Sequence, residues 1–148
     1  MKVGIVGHEE AKFGDAAAHD ARQIIRSILY GDGVTEVVSG GCHLGGVDKW
    51  AAEIGREMGL DVTEFLPATH SWQDGYKPRN IKIAERSDVV HVIVVYRLPE
   101  EYTGMRFKLC YHCKRDDHVK SGACWTAWSA MKLGKEAVWH IINQRSNS

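Results

Sequence analysis

The chain has 148 residues, 44% hydrophobic and 26% charged, a composition typical of one globular domain and unlike disordered, collagenous or coiled-coil chains. Its 19 lysines and arginines balance its 19 aspartates and glutamates, which argues against nonspecific binding to nucleic-acid duplexes. No apolar run reaches the roughly 18 residues of a membrane span and the N-terminus lacks the layout of a signal peptide, so we expect a cytoplasmic protein without a membrane partner.

Hydrophobic periodicity in the first half of the chain predicts strands that alternate with helices. A short apolar run at 2–7 ends in glycine and predicts a strand buried on both faces. Apolar residues at helical spacing predict a helix over 15–30, which a GDG sequence ends. The pattern then predicts a second strand at 34–41, a second helix at 44–60 and a third strand at 61–67.

The second half of the chain continues the alternation but contains one segment that departs from it. A short helix, a central strand, a further helix and a last strand are predicted over 79–87, 88–96, 121–135 and 136–142. The segment from about 97 to 124 begins with little apolar periodicity and holds most of the cysteines, so we interpret it as an insertion. Residues 143–148 are predicted to fray at the end of the chain.

This alternation predicts the fold class. Strands that alternate with helices every 25 to 30 residues imply a mainly parallel sheet with right-handed crossovers. We therefore expect an α/β fold, a Rossmann-like three-layer sandwich with a central five-stranded sheet and helices on both faces, as a single domain over 1–148. In such sheets ligands bind at the carboxyl ends of the strands, where the strand order reverses.

Three glycine-rich turns come directly before predicted helices, at 7–10, 39–48 and 120–126. The free N–H groups of a helix's first turn favour an anion such as phosphate, and glycine lets the backbone approach a ligand closely. His8 and His43 follow such turns and are candidates for ligand contact. The alternative is that each turn is only a tight strand-to-helix connection. Neither the P-loop pattern nor the Rossmann glycine pattern is present, which argues against ATP hydrolysis and hydride transfer.

The loop after the third strand concentrates aromatic, cationic and amide side chains. It contains His70, Trp72, Asp74, Tyr76, Lys77, Arg79 and Asn80. An aromatic ring beside a guanidinium suits stacking on a base or forking onto a phosphate. The alternative is a solvated loop in which a carboxylate pairs with Arg79. Among the tryptophans, Trp72 and Trp125 are candidates to face a ligand, and Trp50, Trp128 and Trp139 are predicted core residues.

Three cysteines and a histidine in the insertion have the spacing of a metal site. Cys110-x2-Cys113-x4-His118-x5-Cys124 supplies three thiolates and one imidazole, close to the spacing of a zinc knuckle. Four protein ligands leave no open position for water, which predicts a structural zinc ion. His112 is the alternative imidazole ligand, and a redox-active CYHC pair is the alternative to a metal. Because Cys124 lies in the turn before the last helix, a metal would fasten the insertion to the predicted pocket.

Three motifs occur in a characteristic order along the chain. They are an SGG-x4-GxD turn in SGGCHLGGVDKWAAE, an RN pair before a strand in GYKPRNIKIAERSDVVHVIVV, and a glycine turn with threonine in SGACWTAWSAMKLGKEAVWHII. This combination resembles the SLOG superfamily of Rossmannoid proteins, which includes the Lonely Guy phosphoribohydrolases, the SMF proteins and small phage and bacterial members. The resemblance covers nearly the whole chain. It implies a pocket for a nucleotide or nucleotide-derived small molecule.

The resemblance also implies which residues line that pocket. They are Gly7, Ser39, Gly40, Gly41, Gly46, Asp48, Arg79, Asn80, Ser121, Gly122 and Thr126. His8 joins this set from its position after a glycine turn. Proteins of this group often pair through helices, so the resemblance further implies a homodimer.

One departure from the family bears on catalysis. Lonely Guy enzymes carry a PGGxGTxxE motif whose glutamate takes part in cleaving an N-glycosidic bond, and here Ser129 stands at that position. A hydroxyl cannot replace a carboxylate in stabilising an oxocarbenium-like centre or as a base near neutral pH. Glu9, Glu10 and Asp48 are the candidate catalytic carboxylates, although Asp48 suits a helix cap or a ligand-binding group better. Whether the protein is an enzyme stays open at this stage.

These features support three functions. The first is binding of a nucleotide or nucleotide-derived small molecule beside a structural zinc site. The second is an N-glycosidase or phosphoribohydrolase that acts on nucleoside monophosphates. The third is binding of single-stranded nucleic acid through the insertion, where the candidate residues are Tyr111, Lys114, Arg115 and Lys120. Asp116 and Asp117 offset this basic charge, so a nucleic-acid partner is not expected.

Overall fold

The computed structural model describes residues 1–106 and 110–144. The strands are β1 (Lys2–Gly7), β2 (Glu36–Ser39), β3 (Asp61–Glu64), β4 (Val89–Val95) and β5 (Glu136–Ile142). The helices are α1 (Asp15–Leu29), α2 (Val47–Glu57), α3 (Lys77–Arg86) and α4 (Ala123–Lys132). All the predicted strands and helices occur in the predicted order, which confirms the α/β fold.

The five strands form one sheet in the order β3-β2-β1-β4-β5, and every neighbouring pair is parallel. The chain therefore builds outward from β1 to β3 and then returns to the other side of β1 with β4. At the end of β1, Gly7 lies opposite Ile93, and a Cβ atom on Gly7 would collide with the Ile93 carbonyl oxygen. The strand order reverses between β1 and β4, which is where such sheets place their ligand crevice.

Helices cover both faces of the sheet, and the side chains of β4 show the two layers. Val89, Ile93 and Val95 pack with α1 and α2 in one apolar cluster. Val90, Val92 and Val94 pack with α3 and α4 in the other. A strand covered on both sides has no polar face, which explains why its sequence is almost continuously apolar. Fully burying each such side chain stabilises the fold by roughly 1.5–3 kcal/mol.

One predicted core residue lies at the surface. Trp128 is 41% exposed on the outer side of α4, whereas Trp50 is buried beside α1 as predicted. The inner side of α4 is formed by small residues, among them Ala127 and Ala130, which let the helix approach the sheet closely. The bulky side chains of α4 therefore face outward, and the prediction for Trp128 was wrong.

The end of the described chain is fastened and not frayed. Gln144 is buried, accepts a hydrogen bond from the Gly14 N–H at 2.5 Å, and donates to the carbonyls of Lys12 and Arg97 at 2.9 Å. Residues 145–148 of the predicted tail, and 107–109 of the predicted insertion, lie outside the described residues. Within the described residues no helix is both long enough and apolar enough to cross a membrane.

Candidate functional site

A cavity of about 460 Å³ lies beside the end of β1, at the point where the strand order reverses. Its lining comes from the β1 end, the turn before α2, the loop into α3, and the segment before α4. Of the residues predicted to bind a ligand, those that line it are Gly7, His8, Asp48, Arg79, Asn80, Ser121 and Gly122. The fold thus brings together residues that are more than a hundred positions apart in the sequence.

Five of the predicted ligand residues are not part of the cavity lining. They are Ser39, Gly40, Gly41, Gly46 and Thr126. The Ser39 and Thr126 hydroxyls are buried and have no hydrogen-bond partner in the described part of the chain. Gly46 has a φ of 90° and packs against the backbone of residues 8–10, where a Cβ atom would lie 2.6 Å from the Glu10 nitrogen. This glycine therefore serves the turn into α2.

The candidate catalytic carboxylates are separated by the structure. Glu9 and Asp48 line the cavity, and Glu10 does not. The Glu9 carboxylate lies 3.7 Å from the Lys12 ammonium and accepts a hydrogen bond from the Tyr102 hydroxyl at 3.5 Å. Glu9 is therefore already engaged by the protein.

Asp48, in the first turn of α2, is a buried carboxylate. Only 7% of the residue is exposed, and its Oδ1 has no hydrogen-bond partner among the described residues. Burial raises the pKa of Asp48 to about 6, although the Arg79 charge and the nearby Gly7 N–H act in the opposite direction. An oxygen left without a partner inside a protein is unfavourable, which makes this carboxylate a candidate for contact with a ligand.

Arg79 and Asn80, at the start of α3, tie the cavity walls together. The Arg79 Nε–H donates to Asn80 Oδ1 at 2.7 Å, and one Nη donates to the carbonyls of Gly40 and Phe65. Asn80 donates in turn to the Gly122 carbonyl at 3.3 Å. Arg79 is buried at the start of α3, so the solvated-loop alternative does not hold. In the described residues Arg79 forms no ion pair with a carboxylate, and its second Nη has no hydrogen-bond partner.

The amides that open α2 and α4 are used within the protein. The Val47 N–H donates to the His8 carbonyl at 3.1 Å, and the Ala123 N–H donates to Ser121 Oγ at 3.1 Å. The two glycine turns therefore do not present these particular amides to a ligand. Positive charge in the cavity comes instead from Lys12 and Lys120, which both line it. Burial lowers the pKa of Lys12, and Glu9 opposes that shift.

Aromatic rings form one wall of the cavity. Trp72 and Tyr76 come from the loop before α3, and Tyr111 and His112 come from the insertion. The ring centroids of Trp72 and His112 lie 4.9 Å apart. A Cβ atom on Gly122 would lie 3.1 Å from the Trp72 ring, so the turn before α4 packs closely against this ring. Such rings offer flat faces for a planar heterocycle.

His8 lines the cavity but both of its ring nitrogens are occupied. Its Nε2–H donates to the carbonyls of Val119 and Lys120 at 3.1 and 3.2 Å, and its Nδ1 accepts from the Val95 N–H at 3.1 Å. Complete burial lowers the pKa of His8 to about 3, so the ring is neutral. This histidine joins the end of the insertion to the end of β4.

The predicted metal ligands come together in one group. The ligand atoms of Cys110, Cys113, His118 and Cys124 all lie within 4.8 Å of one another, and all three thiols are free. His118 Nε2 lies 3.5 Å from Cys113 Sγ and 3.3 Å from Cys124 Sγ. Atoms bound to one tetrahedral zinc lie roughly 3.3–3.8 Å apart, so this group can hold a metal. His112 is not part of the group.

A chain of contacts that the sequence did not reveal surrounds the group. His118 Nδ1–H donates to Asp117 at 2.9 Å, which leaves Nε2 facing the thiols. Arg115 holds Asp117 with two hydrogen bonds, at 2.7 and 3.2 Å, and its guanidinium lies over the Trp139 ring. The Trp139 Nε1–H donates to Cys124 Sγ at 3.5 Å. These contacts fix the orientation of the histidine and of one thiol.

The metal group and the cavity share the same segments of chain. Tyr111 and His112 lie between two of the cysteines and line the cavity, as does Lys120, and the lining residues 121–123 lead directly to Cys124. The residues predicted to bind single-stranded nucleic acid are therefore divided. Two of them, Tyr111 and Lys120, belong to the cavity, and Arg115 belongs to the surroundings of the metal group.

Comparisons with known proteins show the fold. No protein-family model matches the sequence, and a search of curated proteins finds no match. Among solved structures, the fold is similar to that of the molybdenum cofactor carrier protein MCP from Chlamydomonas reinhardtii, with a TM-score of 0.59. The similarity covers 93% of this chain and 74% of that protein at 18% sequence identity. At this identity the similarity shows the Rossmann-like architecture alone.

Proposed function

We propose that this protein binds a nucleotide or nucleotide-derived small molecule in the cavity, and that a structural zinc ion in the Cys3His group holds one wall of that cavity in place. The observation that carries the proposal is the combination of aromatic rings, two lysines and a buried Asp48–Arg79–Asn80 set around one cavity. Its volume of about 460 Å³ falls within the range of small-molecule sites.

Each part of a nucleotide has a suitable counterpart in the cavity. The rings of Trp72 and Tyr111 can stack on a base, and Lys12 and Lys120 can neutralise a phosphate. The resemblance to the SLOG superfamily supports the same class of ligand. The name of the similar solved structure describes a carrier of a cofactor, which supports binding without turnover.

The experiment measures binding of adenosine, guanosine, cytidine and uridine monophosphates by isothermal titration calorimetry. We expect at least one of them to bind to the purified zinc-loaded protein. The variant Trp72→Ala should weaken that binding about tenfold or more, because stacking of a base on an aromatic ring is worth roughly 1–3 kcal/mol.

The control for this experiment is Trp128→Ala, which removes a tryptophan exposed on α4 and outside the cavity lining. The control should bind as the parent protein does. Absence of binding by all four monophosphates, or equal weakening by the two variants, would overturn the proposal.

A second candidate function is hydrolysis of the N-glycosidic bond of a nucleoside monophosphate. The observation that favours it is the pKa of Asp48, which burial raises to about 6, because a general acid works best with a pKa near the working pH. Release of free base under saturating monophosphate, abolished by Asp48→Asn, would establish this activity. Binding without base release assigns the protein to the carrier or sensor class.

A further inference from the structure

We propose that Asp48 and Arg79 form a recognition pair for the edge of the bound heterocycle, and that the ligand therefore carries adjacent N–H donors and a carbonyl acceptor, as the lactam-amine edge of guanine does. This inference rests on the proposed binding of a nucleotide-type ligand. It names the class of base that the cavity prefers.

The two side chains lie on either side of Gly40. A Cβ atom on Gly40 would meet Arg79 Nη1 and would lie 2.6 Å from Asp48 Oδ2. Both residues are 7% exposed and both line the cavity, yet no ion pair joins them among the described residues. A carboxylate and a guanidinium are therefore held close to each other at the cavity without forming an ion pair.

This arrangement suits a neutral group better than a phosphate. A phosphate beside Arg79 would also lie close to the Asp48 carboxylate, and the two negative charges would repel each other in a buried setting. Lys120 lines the same cavity and supplies positive charge for an anionic tail, whereas the Lys12 ammonium lies 3.7 Å from the Glu9 carboxylate. The Asp48–Arg79 pair is then left for the uncharged part of the ligand.

The hydrogen-bonding groups of Asp48 and Arg79 indicate which edge of a base they can bind. An ionised carboxylate only accepts hydrogen bonds, and Asp48 Oδ1 has no partner in the described structure. Two neighbouring N–H groups, such as the ring N–H and amino group of guanine, match the two oxygens of a carboxylate. The Arg79 Nη that lacks a partner in the described residues can donate to the neighbouring carbonyl of the same base. Adenine presents no ring N–H next to its amino group, and hypoxanthine lacks the amino group.

The experiment compares guanosine, inosine and adenosine monophosphates by calorimetry with the parent protein and with Asp48→Asn. Guanosine monophosphate should bind to the parent about tenfold or more tightly than inosine monophosphate, and adenosine monophosphate should bind more weakly as well, because each leaves a buried acceptor unpaired. Asp48→Asn should remove this preference. Glu53→Gln, which neutralises an exposed carboxylate on the same helix, should keep it.

Three results would overturn the inference. Equal or tighter binding of the adenosine or inosine nucleotide would leave the proposed function standing and remove the base preference. If 2′-deoxyguanosine monophosphate bound as weakly as inosine monophosphate, Asp48 would contact the sugar instead of the base. If no nucleotide bound at all, the proposed function would fail and the base preference with it.

Discussion

At the scale of single residues, Asp48 is a buried carboxylate whose charge is expected to oppose folding. Its carboxylate is buried and burial raises its pKa to about 6, so the charged form opposes folding at neutral pH. A residue of this kind is expected to be retained for a ligand and not for the fold. Its effect on folding can be measured in the absence of any ligand.

The variant Asp48→Asn should be more stable than the parent near pH 7.5. The folded pKa is raised from an ordinary value of 3.8, so the stabilising contribution of the protonated form is complete below about pH 4 and is lost as the pH rises through about 6. The asparagine side chain of the variant is neutral at every pH, so the variant does not lose this stability as the pH rises. Two units of pKa correspond to roughly 3 kcal/mol, an upper value for the gain in unfolding free energy at pH 7.5.

Urea denaturation of both proteins at pH 4 and pH 7.5 checks this expectation. The gain should appear at pH 7.5 and shrink toward zero at pH 4. A variant that is less stable than the parent at pH 7.5, or a difference that does not depend on pH, would show that the buried charge does not oppose folding.

A second prediction concerns Asp117, which accepts the Nδ1–H of His118 at 2.9 Å. Replacing this carboxylate with asparagine should lower the affinity for zinc roughly 10- to 100-fold, because partners of a metal-binding histidine fix its tautomer and orientation. Competition with a chelator measures the affinity. The cobalt spectrum of the variant should still be that of a tetrahedral thiolate site.

The matched control is Asp116→Asn, which alters the neighbouring carboxylate on an exposed residue. Both variants lower the negative charge of the insertion by the same amount. Equal loss of zinc affinity in the two variants would reduce the role of Asp117 to general electrostatics and contradict a positioning role.

At the scale of structural elements, the insertion both contains the Cys3His group and forms a wall of the cavity. Tyr111 and His112 lie between two metal ligands, and 121–123 lead into the third cysteine. The segment is also tied to the sheet, by the hydrogen bonds of His8 to the carbonyls of Val119 and Lys120 and by the Val119 N–H, which donates to the Val95 carbonyl at 3.0 Å. The metal is therefore expected to order the wall that the ligand needs.

Removal of the metal should lower both thermal stability and ligand affinity. Structural zinc contributes roughly 10–16 kcal/mol in small peptides, and even a tenth of that shifts the melting temperature of a chain of this size by several degrees. Circular dichroism should still report the parallel sheet and its helices, because their apolar clusters lie mostly in other segments. Melting temperature and nucleotide affinity that are both unchanged after complete chelation would contradict the role of the metal.

The strands and helices were predictable because their hydrophobic periodicity is strong. The packing and hydrogen bonds of particular residues were not predictable. The apolar run in β4 and the helical spacing in α1 depend on burial against layers on both faces, which the sequence carries directly. The outward position of Trp128 depends on how closely α4 approaches the sheet. The hydrogen bonds of the Val47 and Ala123 amides depend on which loops come together. Hydrophobic periodicity carries no information about the position of Trp128 or about these hydrogen bonds.

The candidate site, like the fold, was predictable from the sequence only in part. Arg79, Asn80 and Asp48 lie near strand ends, so a parallel sheet places them at one edge, and the Cys3His spacing identifies the metal group. The contributions of Tyr111 and His112 to the cavity wall, and of Asp117 and Trp139 to the metal group, depend on how an aperiodic insertion folds back. A carboxylate directly before a predicted metal-binding histidine is the one sequence signal that pointed toward this arrangement.

At the scale of the whole molecule, a cavity lies where the strand order reverses, and one of its walls comes from the insertion that contains the Cys3His group. The topology supplies the crevice, α2 and α3 supply Asp48 and Arg79, and the insertion supplies aromatic rings and a lysine. No single element contains a complete site. Binding is therefore expected to require the folded, metal-loaded chain, and the homodimer stays a prediction.

Native mass spectrometry of the freshly purified protein tests whether the folded chain holds both a zinc ion and a nucleotide-type ligand, because it reports metal, ligand and subunit number together. We expect each chain to carry one zinc ion. We also expect each chain to carry one nucleotide-type molecule, either as purified or after addition of guanosine monophosphate. A chain that stays free of metal, and that takes up no monophosphate under gentle conditions, would contradict both expectations.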